Sequence, residues 1–279
     1  MTYIKVLNYS QKKEFETPPQ LNDEMRREIF AVPSLLSQQL YSIDLADNRV
    51  KFIAMFGYFK LTRCFYDPNS FHHDDIDYIC KRFELKIDDR SSAKNTLSIY
   101  KRLIRDHFGY QSPDDILRQI LTDTANKLIA QLPTPKALFY ALVELAIEHR
   151  YEVPSYTFLS KIITEAMNDR RTSIFDRLQS YTNNDSLQVL EFFTQTDETL
   201  PGRYVLNRFK KFSHSLKPSK IKEEVRTYEA IRNINGSIST IVNEIGIEEN
   251  TARHYAQWVE KSDMHQTKVR SDQLCDMLV

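Results

Sequence analysis

Apolar side chains recur every three or four residues through most of this chain, and this period limits the fold more than any other feature. In the segment Ala46–Phe65, for example, Val50, Ile53, Phe56 and Phe59 follow one another at intervals of three. Such spacing places side chains on one side of an α-helix, whereas a half-buried strand needs strict alternation. No useful run of alternating apolar and polar residues occurs in the 279 residues. The sequence therefore predicts an all-α, multi-helical fold.

Residues suited to helix ends divide this pattern into separate helices. Asp47 and Ser112 are predicted N-caps, because their side chains can accept a hydrogen bond from a free first-turn amide. Pro135 suits the first position of a helix, and Gly109 suits the left-handed residue that follows a helix end. Only five glycines occur, which disfavours barrels, sandwiches and phosphate-binding loops, since these need glycine at special backbone positions.

Two polar, proline-containing stretches, Phe108–Asp115 and Thr194–Arg203, interrupt the helical pattern. We therefore expect three parts in the chain. Residues 1–109 form a first helical module and residues 110–200 a second. Residues 201–279 form a basic linker and C-terminal helices, read as the start of a further region.

Charge and cysteine content exclude several classes of protein. The 38 basic and 38 acidic residues balance, so a nucleic-acid-binding surface would have to be local. Three cysteines without CxxC spacing argue against a zinc ribbon or a disulfide scaffold and fit a reducing cytoplasm. The start of the chain has no apolar leader, and no apolar run is long enough to cross a membrane.

The segment HHDDID, His72–Asp77, is the densest group of metal-ligand side chains. Its adjacent histidines lack the i, i+4 spacing of a helical metal site. Asp74 and Asp75 suit the first turn of a helix, where carboxylates interact favourably with the dipole. A metal hydrolase using His72, His73 and Asp74 stays an alternative, but no nucleophile elbow, P-loop or HExxH motif accompanies it. We expect neither enzymatic activity nor a cofactor.

Basic residues concentrate in the segment Pro201–Lys222, which has seven Lys or Arg, no acid and interleaved aromatic residues. A segment that follows a duplex needs such a local surplus to offset the phosphates. The alternative is an ordinary solvated helix face beside a linker. Smaller basic groups include Lys101 and Arg105 on one helical run, and Lys60 and Arg63 at the end of another.

The segment IVNEIGIEENTARHYAQWVEK, from Ile241 to Lys261, has the outline of a helix-turn-helix. Gly246 could form the turn, and Thr251 and Arg253 would point outward at the start of the second helix, as in a recognition helix. The neighbouring acidic pair would lie close to phosphates, however, and the same spacing occurs in plain helical hairpins. This segment is therefore a secondary candidate for DNA contact.

Two longer stretches each combine a helix, a proline and a second helix. The first runs from Asn48 to Leu85 and the second covers residues 141–178. The residues that carry the pattern are Asn48, Arg49, Phe52, Pro68, Leu142, Leu145, Arg150, Pro154, Leu159, Ile162, Ile163, Ala166, Arg170, Ile174 and Leu178. In their order and spacing, over about Gln11 to Val259, they resemble the N-terminal region of replicative transposases of the Tn-three family.

The resemblance implies an all-helical region that binds the terminal inverted repeats of a transposon. In that family the catalytic acidic residues lie in a later domain of ribonuclease-H type, so we expect this chain to be a truncated or stand-alone DNA-binding portion without catalysis. Its expected partners are double-stranded DNA and full-length transposase, in the cytoplasm at the nucleoid. The expected contact residues are Arg49, Lys60, Arg63, Lys101, Arg105, Arg203, Arg208, Lys210, Lys211, Lys217, Lys220, Thr251 and Arg253.

The alternative is a helical protein-interaction scaffold, or a transposase remnant without function. The two readings differ in their surface charge. Basic residues from separate parts of the chain should converge on one face if DNA is the ligand, because phosphates need a continuous cationic surface. Scattered charges would favour the scaffold.

Overall fold

The computed structural model describes residues 4–86, 94–132, 134–181 and 215–245, together with the single positions 195, 205, 249, 252, 253 and 257. Its α-helices in chain order are α1 (Tyr9–Glu16), α2 (Asp23–Ile29), α3 (Ser34–Tyr41), α4 (Ala46–Thr62), α5 (His73–Phe83), α6 (Lys94–Phe108), α7 (Asp115–Leu128), α8 (Pro135–Glu148), α9 (Tyr156–Tyr181) and α10 (Pro218–Ile245). A short 3-10 turn, Pro68–Ser70, lies between α4 and α5.

The all-α prediction is confirmed. Across the described ranges, strand-like pairing is limited to one isolated parallel bridge between Gln111 and Tyr151. In the same ranges, none of the helices combines the length and the apolar composition that a membrane crossing requires.

Helix α4 forms the centre of the main apolar core. It is buried on all sides from Phe52 to Phe59, and it packs against α2, α5 and α6. A helix that is apolar all round belongs in a core, because no polar face is left for water. Gly57 lets α2 approach closely, since a Cβ there would lie 2.6 Å from Cε1 of the buried Phe30 ring. The core is therefore built around α4, whose apolar spacing predicted one buried side and which is buried all round from Phe52 to Phe59.

Helix ends follow the predictions in part. Pro135 is the first residue of α8, and Gly109 adopts φ +70° after α6, so both predictions are confirmed. The predicted cap Ser112 is wrong, because Asp114 Oδ1 accepts the hydrogen bond from Leu117 N at 2.8 Å. Asp47 also fails as an N-cap, since α4 begins one residue earlier and Asp47 Oδ2 instead pairs with Lys51 Nζ.

The chain divides into two compact units. The first, here called the core unit, comprises Tyr3–Ala125 and Pro135–Thr164. The second comprises Met1–Thr2, Asn126–Thr134 and Glu165–Val279, and it includes α10. The boundaries predicted after residues 109 and 200 stay predictions.

Candidate nucleic-acid interface

Cationic and aromatic side chains meet in the core unit where α4, α6 and α8 end. This group is called the cationic–aromatic cluster and consists of Arg63, Lys101, Arg105 and Arg150 with Phe65, Phe108, Tyr110 and Glu152. Arg63, one member of the basic group predicted at the end of α4, is thereby brought together with Lys101 and Arg105 of the group predicted along α6. Their cations lie against aromatic rings, whose quadrupole attracts a positive charge.

Three helix ends meet at this cluster, each with a left-handed residue. Arg63 follows α4 with φ 61°, Gly109 follows α6 with φ 70°, and Arg150 follows α8 with φ 61°. The Arg63 carbonyl accepts from Val153 N at 2.9 Å, and the Arg150 carbonyl accepts from Gln111 N at 2.8 Å. A left-handed conformation costs a non-glycine residue roughly 1–2 kcal/mol. These backbone hydrogen bonds hold both arginines in that conformation.

The aromatic members of the cluster all pack against one buried side chain. The ring of Phe59, which has no exposed surface, lies 4.6 Å from that of Phe65, 5.7 Å from Phe108 and 5.6 Å from Tyr110 between centroids. The Phe65 ring is stacked on Phe59 and the Tyr110 ring meets it edge-to-face, which are the favoured geometries for aromatic pairs, whereas the Phe108 ring is tilted. The core thus fixes the platform on which the cations lie.

Tyr110 is the meeting point of two arginines. The guanidinium carbon of Arg63 lies 5.3 Å and that of Arg150 lies 5.6 Å from the Tyr110 ring centroid. Arg63 also donates from Nε to the Tyr110 hydroxyl at 3.1 Å, and from Nη1 to the carbonyls of Phe59 and Lys60. Arg63 therefore caps the negative end of the α4 dipole, which is a structural role. Arg150 is exposed.

Phe65 is the second meeting point. Lys101 Nζ lies 5.4 Å and the Arg105 guanidinium carbon 6.0 Å from its ring centroid. Arg105 Nη1 is also 2.7 Å from Glu152 Oε2, and the two side chains are only 17% and 18% exposed. The positive charge of Arg105 is thus largely neutralised within the protein, while Lys101 stays half-exposed and its neighbour Arg102 is exposed.

Positive charge is in excess around the cluster. Arg63, Lys101, Arg102, Arg105 and Arg150 lie in it or directly beside it. The cluster itself contains one carboxylate, that of Glu152. Three more lie close by, since Asp106 and Glu148 are near it in the chain and Asp114 is hydrogen-bonded to Tyr151. The negative ends of three helix dipoles absorb part of the excess. The charge that remains accessible is carried by Lys101, Arg102 and Arg150.

Other predicted contact residues lie elsewhere. Arg49 donates from Nε to Ile43 O at 2.6 Å and from Nη2 to Tyr41 O at 3.3 Å, and so ties the α3–α4 connection to α4. Lys60 Nζ donates to Glu28 O at 2.9 Å, at the end of α2. Both side chains therefore hold the backbone of the protein itself.

Lys217 and Lys220 are exposed around the start of α10. Lys220 Nζ forms an ion pair with Glu223 at 2.7 Å, which raises the pKa of the lysine. Arg253 pairs with Glu249. The remaining predicted contact residues, with the turn at Gly246, lie outside the described residues: Arg203, Arg208, Lys210, Lys211 and Thr251.

Sequence reasoning did not select Phe65, Tyr110, Arg102 or Arg150 as site residues. Arg102 belongs to the basic run on α6 and could have been included on that ground. The others have no local signal, because Tyr110 meets Arg63 across 47 positions, and no periodic pattern marks such a contact.

The HHDDID segment has a structural explanation. Asp75 has no exposed surface, and its carboxylate accepts from Arg26 Nε at 2.7 Å and from the Tyr58 hydroxyl at 2.5 Å. Burial, reinforced by the Asp75 carboxylate, raises the pKa of Tyr58 well above its usual range. His72 Nε2 is hydrogen-bonded to Pro18 O at 2.8 Å, and His73 is exposed. In the ranges that the structure describes, no group of three His, Cys, Asp or Glu side chains is arranged to hold a metal ion.

Comparison with known proteins gives one family match. The model described as "Domain of unknown function (DUF4158)" matches residues 6–166, a range that contains every member of the cationic–aromatic cluster. No curated protein matches the chain.

Proposed function

This chain belongs to the DUF4158 family, and we propose that it binds double-stranded DNA through the cationic–aromatic cluster. The observation that carries the proposal is the convergence of basic side chains from α4, α6 and the end of α8 on Phe65 and Tyr110. A neutral chain that binds phosphates needs such a local cationic surface.

Phosphate contact falls to the accessible cations of the cluster and to Arg102, which is exposed next to Lys101. Lys101 and Arg102 lie on α6, and Arg150 lies on the left-handed turn after α8. An exposed arginine can bind two phosphate oxygens at once through its planar fork, whereas a lysine acts as a point charge. Arg63 and Arg105 support this surface by orienting the aromatic rings, and they add to the positive potential without contacting DNA.

The resemblance to transposases of the Tn-three family makes the proposal more specific. Members of that family bind terminal inverted repeats with this region, and the basic segment with Arg203, Arg208, Lys210 and Lys211 would add contacts to the same duplex. The chain would then occupy transposon ends without cleaving them. It would also compete with full-length transposase, so co-expression should lower the transposition frequency. An unchanged frequency, with the protein shown to be present, would count against that role.

Fluorescence anisotropy with a labelled duplex tests the central proposal. The full chain is titrated into a candidate terminal inverted repeat and into a scrambled duplex, each over a salt series. Preference for the repeat supports recognition of terminal inverted repeats. Equal binding to both duplexes supports DNA binding that has no preference for the transposon end. Absence of binding to either duplex at low salt overturns the proposal.

Single substitutions locate the contact surface. Arg102→Gln and Arg150→Gln should each weaken binding and lower the slope of log affinity against log salt by about one unit, as expected for one lost phosphate contact. Lys136→Gln is the matched control, since Lys136 is an exposed cation on α8 that is not part of the cluster. Equal effects of all three variants would place the contacts elsewhere.

A helical protein-interaction scaffold is the second candidate function. It is favoured by two observations: Arg63 and Arg105 are held by internal partners, and α10 carries exposed apolar side chains. A chain with this function would bind no duplex at low salt but would retain a partner through its apolar surface. The anisotropy experiment therefore separates the two candidates.

A further inference from the structure

Helix α10 carries an exposed apolar stripe that the DNA-binding proposal does not use. Ile221, Val225 and Tyr228 are 45%, 51% and 65% exposed. Their spacing of four and then three residues places them on one side of the helix. Leu216, just before the helix, is 89% exposed. Scattered exposed apolar residues are ordinary, whereas a row on one helix face is typical of an interaction surface.

Charged residues flank this stripe in a regular order. At 100° per residue, Lys222 and Glu229 fall on one flank of α10 and Glu224 falls on the other, with Lys217 directly before the first residue of the helix. The stripe with its two flanks corresponds to the inner and flanking positions of a two-stranded coiled coil, where the flanking charges determine the partner and its direction.

The charge order distinguishes between two directions of a second α10. In a parallel pair, the two opposite flanks meet. A residue on one flank then faces the residue of the other copy that lies five positions further along the sequence. Glu224 would then face Glu229, and Lys217, directly before the first turn, would lie near Lys222, so like charges would repel. In an antiparallel pair, each flank meets its own copy. Lys222 then faces Glu229 of the other copy, and the two-fold symmetry forms this ion pair twice.

We propose that the α10 stripe is the dimer interface of this chain, formed with a second copy in antiparallel orientation. Val225 packs against Tyr228 of the other copy, and the ion pairs between Lys222 and Glu229 border this contact on one side. An isologous two-fold contact needs a self-complementary surface, and the flank with Lys222 and Glu229 provides it. The inference is independent of DNA binding.

Sedimentation velocity of the full chain over a concentration series tests the dimer. Wild-type protein should show a concentration-dependent shift from monomer to dimer. Val225→Glu buries a carboxylate in the interface twice and should weaken the dimer at least a hundredfold. Ser219→Glu, which adds the same charge on the opposite side of α10, should leave the dimer unchanged. Far-UV circular dichroism shows whether each variant keeps its helices. A wild-type chain that stays monomeric at about 100 μM, or equal effects of both variants, overturns the proposal.

Charge exchange tests the orientation. Lys222→Glu and Glu229→Lys should each weaken the dimer about tenfold, because each replaces two attractive pairs with two repulsive ones. The double variant Lys222→Glu/Glu229→Lys should restore the wild-type dissociation constant. A stronger dimer in Lys222→Glu alone would overturn the antiparallel orientation, since that result is expected when Lys222 lies near Lys217.

Discussion

Arg105 and Glu152 form an ion pair of 2.7 Å between side chains that lie 47 positions apart. The pair links α6 to the segment that follows α8. It also neutralises the charge of Arg105, one of the cations that the sequence suggested for DNA contact. Because both side chains are less than one-fifth exposed, the pair is screened less by salt than a surface pair. Its two functions, stability and control of surface charge, can be separated by substitution.

We expect Glu152→Gln to lower stability and to raise DNA affinity. The substitution leaves Arg105 without its carboxylate, which should lower the free energy of unfolding by about 1–2 kcal/mol. It also removes a negative charge from the cluster, so DNA affinity should increase by roughly threefold at low salt. Arg105→Gln should lower both quantities. Urea unfolding and anisotropy measure the two effects, and Glu144→Gln, an exposed carboxylate on α8, is the control.

The buried Asp75 carboxylate should matter far more to stability than its neighbour Asp74. Asp75→Asn leaves the guanidinium of Arg26 without its closest partner and should lower the free energy of unfolding by about 3–5 kcal/mol. Asp74 is 83% exposed and lies 3.8 Å from Arg26, so Asp74→Asn should change stability by about 0.5 kcal/mol or less. Urea unfolding followed by circular dichroism compares them. Similar losses in both variants would mean that Asp75 is not the anchor of this network.

The sequence predicted the fold class and several helix ends because these depend on local chemistry. The period of α4 and the conformations at Gly109 and Pro135 need only neighbouring residues. The cap of α7 was misassigned because Ser112 and Asp114 are both good caps, and only the backbone geometry decides which side chain reaches Leu117 N.

The candidate site was predicted only in part. Lys101 and Arg105 share a helix, so periodicity placed them together. Their meeting with Arg63 depends on Phe59, whose contacts span the core and leave no periodic signal. The left-handed arginines were also missed, because sequence patterns lead one to expect glycine there.

Gly57 should tolerate alanine less well than Gly109, although only Gly109 has a left-handed backbone. In a helix, alanine gains about 1 kcal/mol over glycine from propensity. At Gly57, however, the new methyl group would overlap the ring of Phe30, which has no exposed surface. Overpacking costs about 1–3 kcal/mol, and a Cβ 2.6 Å from a fully buried ring places Gly57 at the upper end, so we expect a net loss of about 2 kcal/mol.

Two comparisons check this explanation by urea unfolding. Gly109→Ala has no atom within 4 Å of its new Cβ and should lose only about 1 kcal/mol from backbone strain. Phe30→Leu removes part of the overlapping ring. The double variant Gly57→Ala/Phe30→Leu should therefore lose less free energy of unfolding than the two single variants lose together. Additive losses would show that the overlap with Phe30 is not the cause.

The thiol of Cys64 should make stability fall at alkaline pH. Burial raises its pKa from about 9 to about 11. Below pH 9 the thiol is protonated in the folded and the unfolded chain, so it adds no pH dependence. Between these two values the unfolded chain releases the proton first, and the free energy of unfolding decreases as pH rises. Cys64→Ser removes this contribution, so its stability should fall less than that of the wild type over that interval.

Urea unfolding in unit steps from about pH 8 to 11 measures the difference between the two proteins. Burial also raises the pKa of Tyr58 and of Tyr66 above the ordinary tyrosine value of 10. Burial is the largest cause of both shifts, so both phenols stay protonated in the folded wild type and variant over this interval. Tyr66 also contacts Cys64, so the comparison is between two similar rather than identical tyrosine contributions. The gap between the two stability curves should therefore change mainly between pH 9 and 11. A constant gap over the whole range would mean that the Cys64 thiol titrates equally in the folded and unfolded chain, which is incompatible with a desolvated thiol.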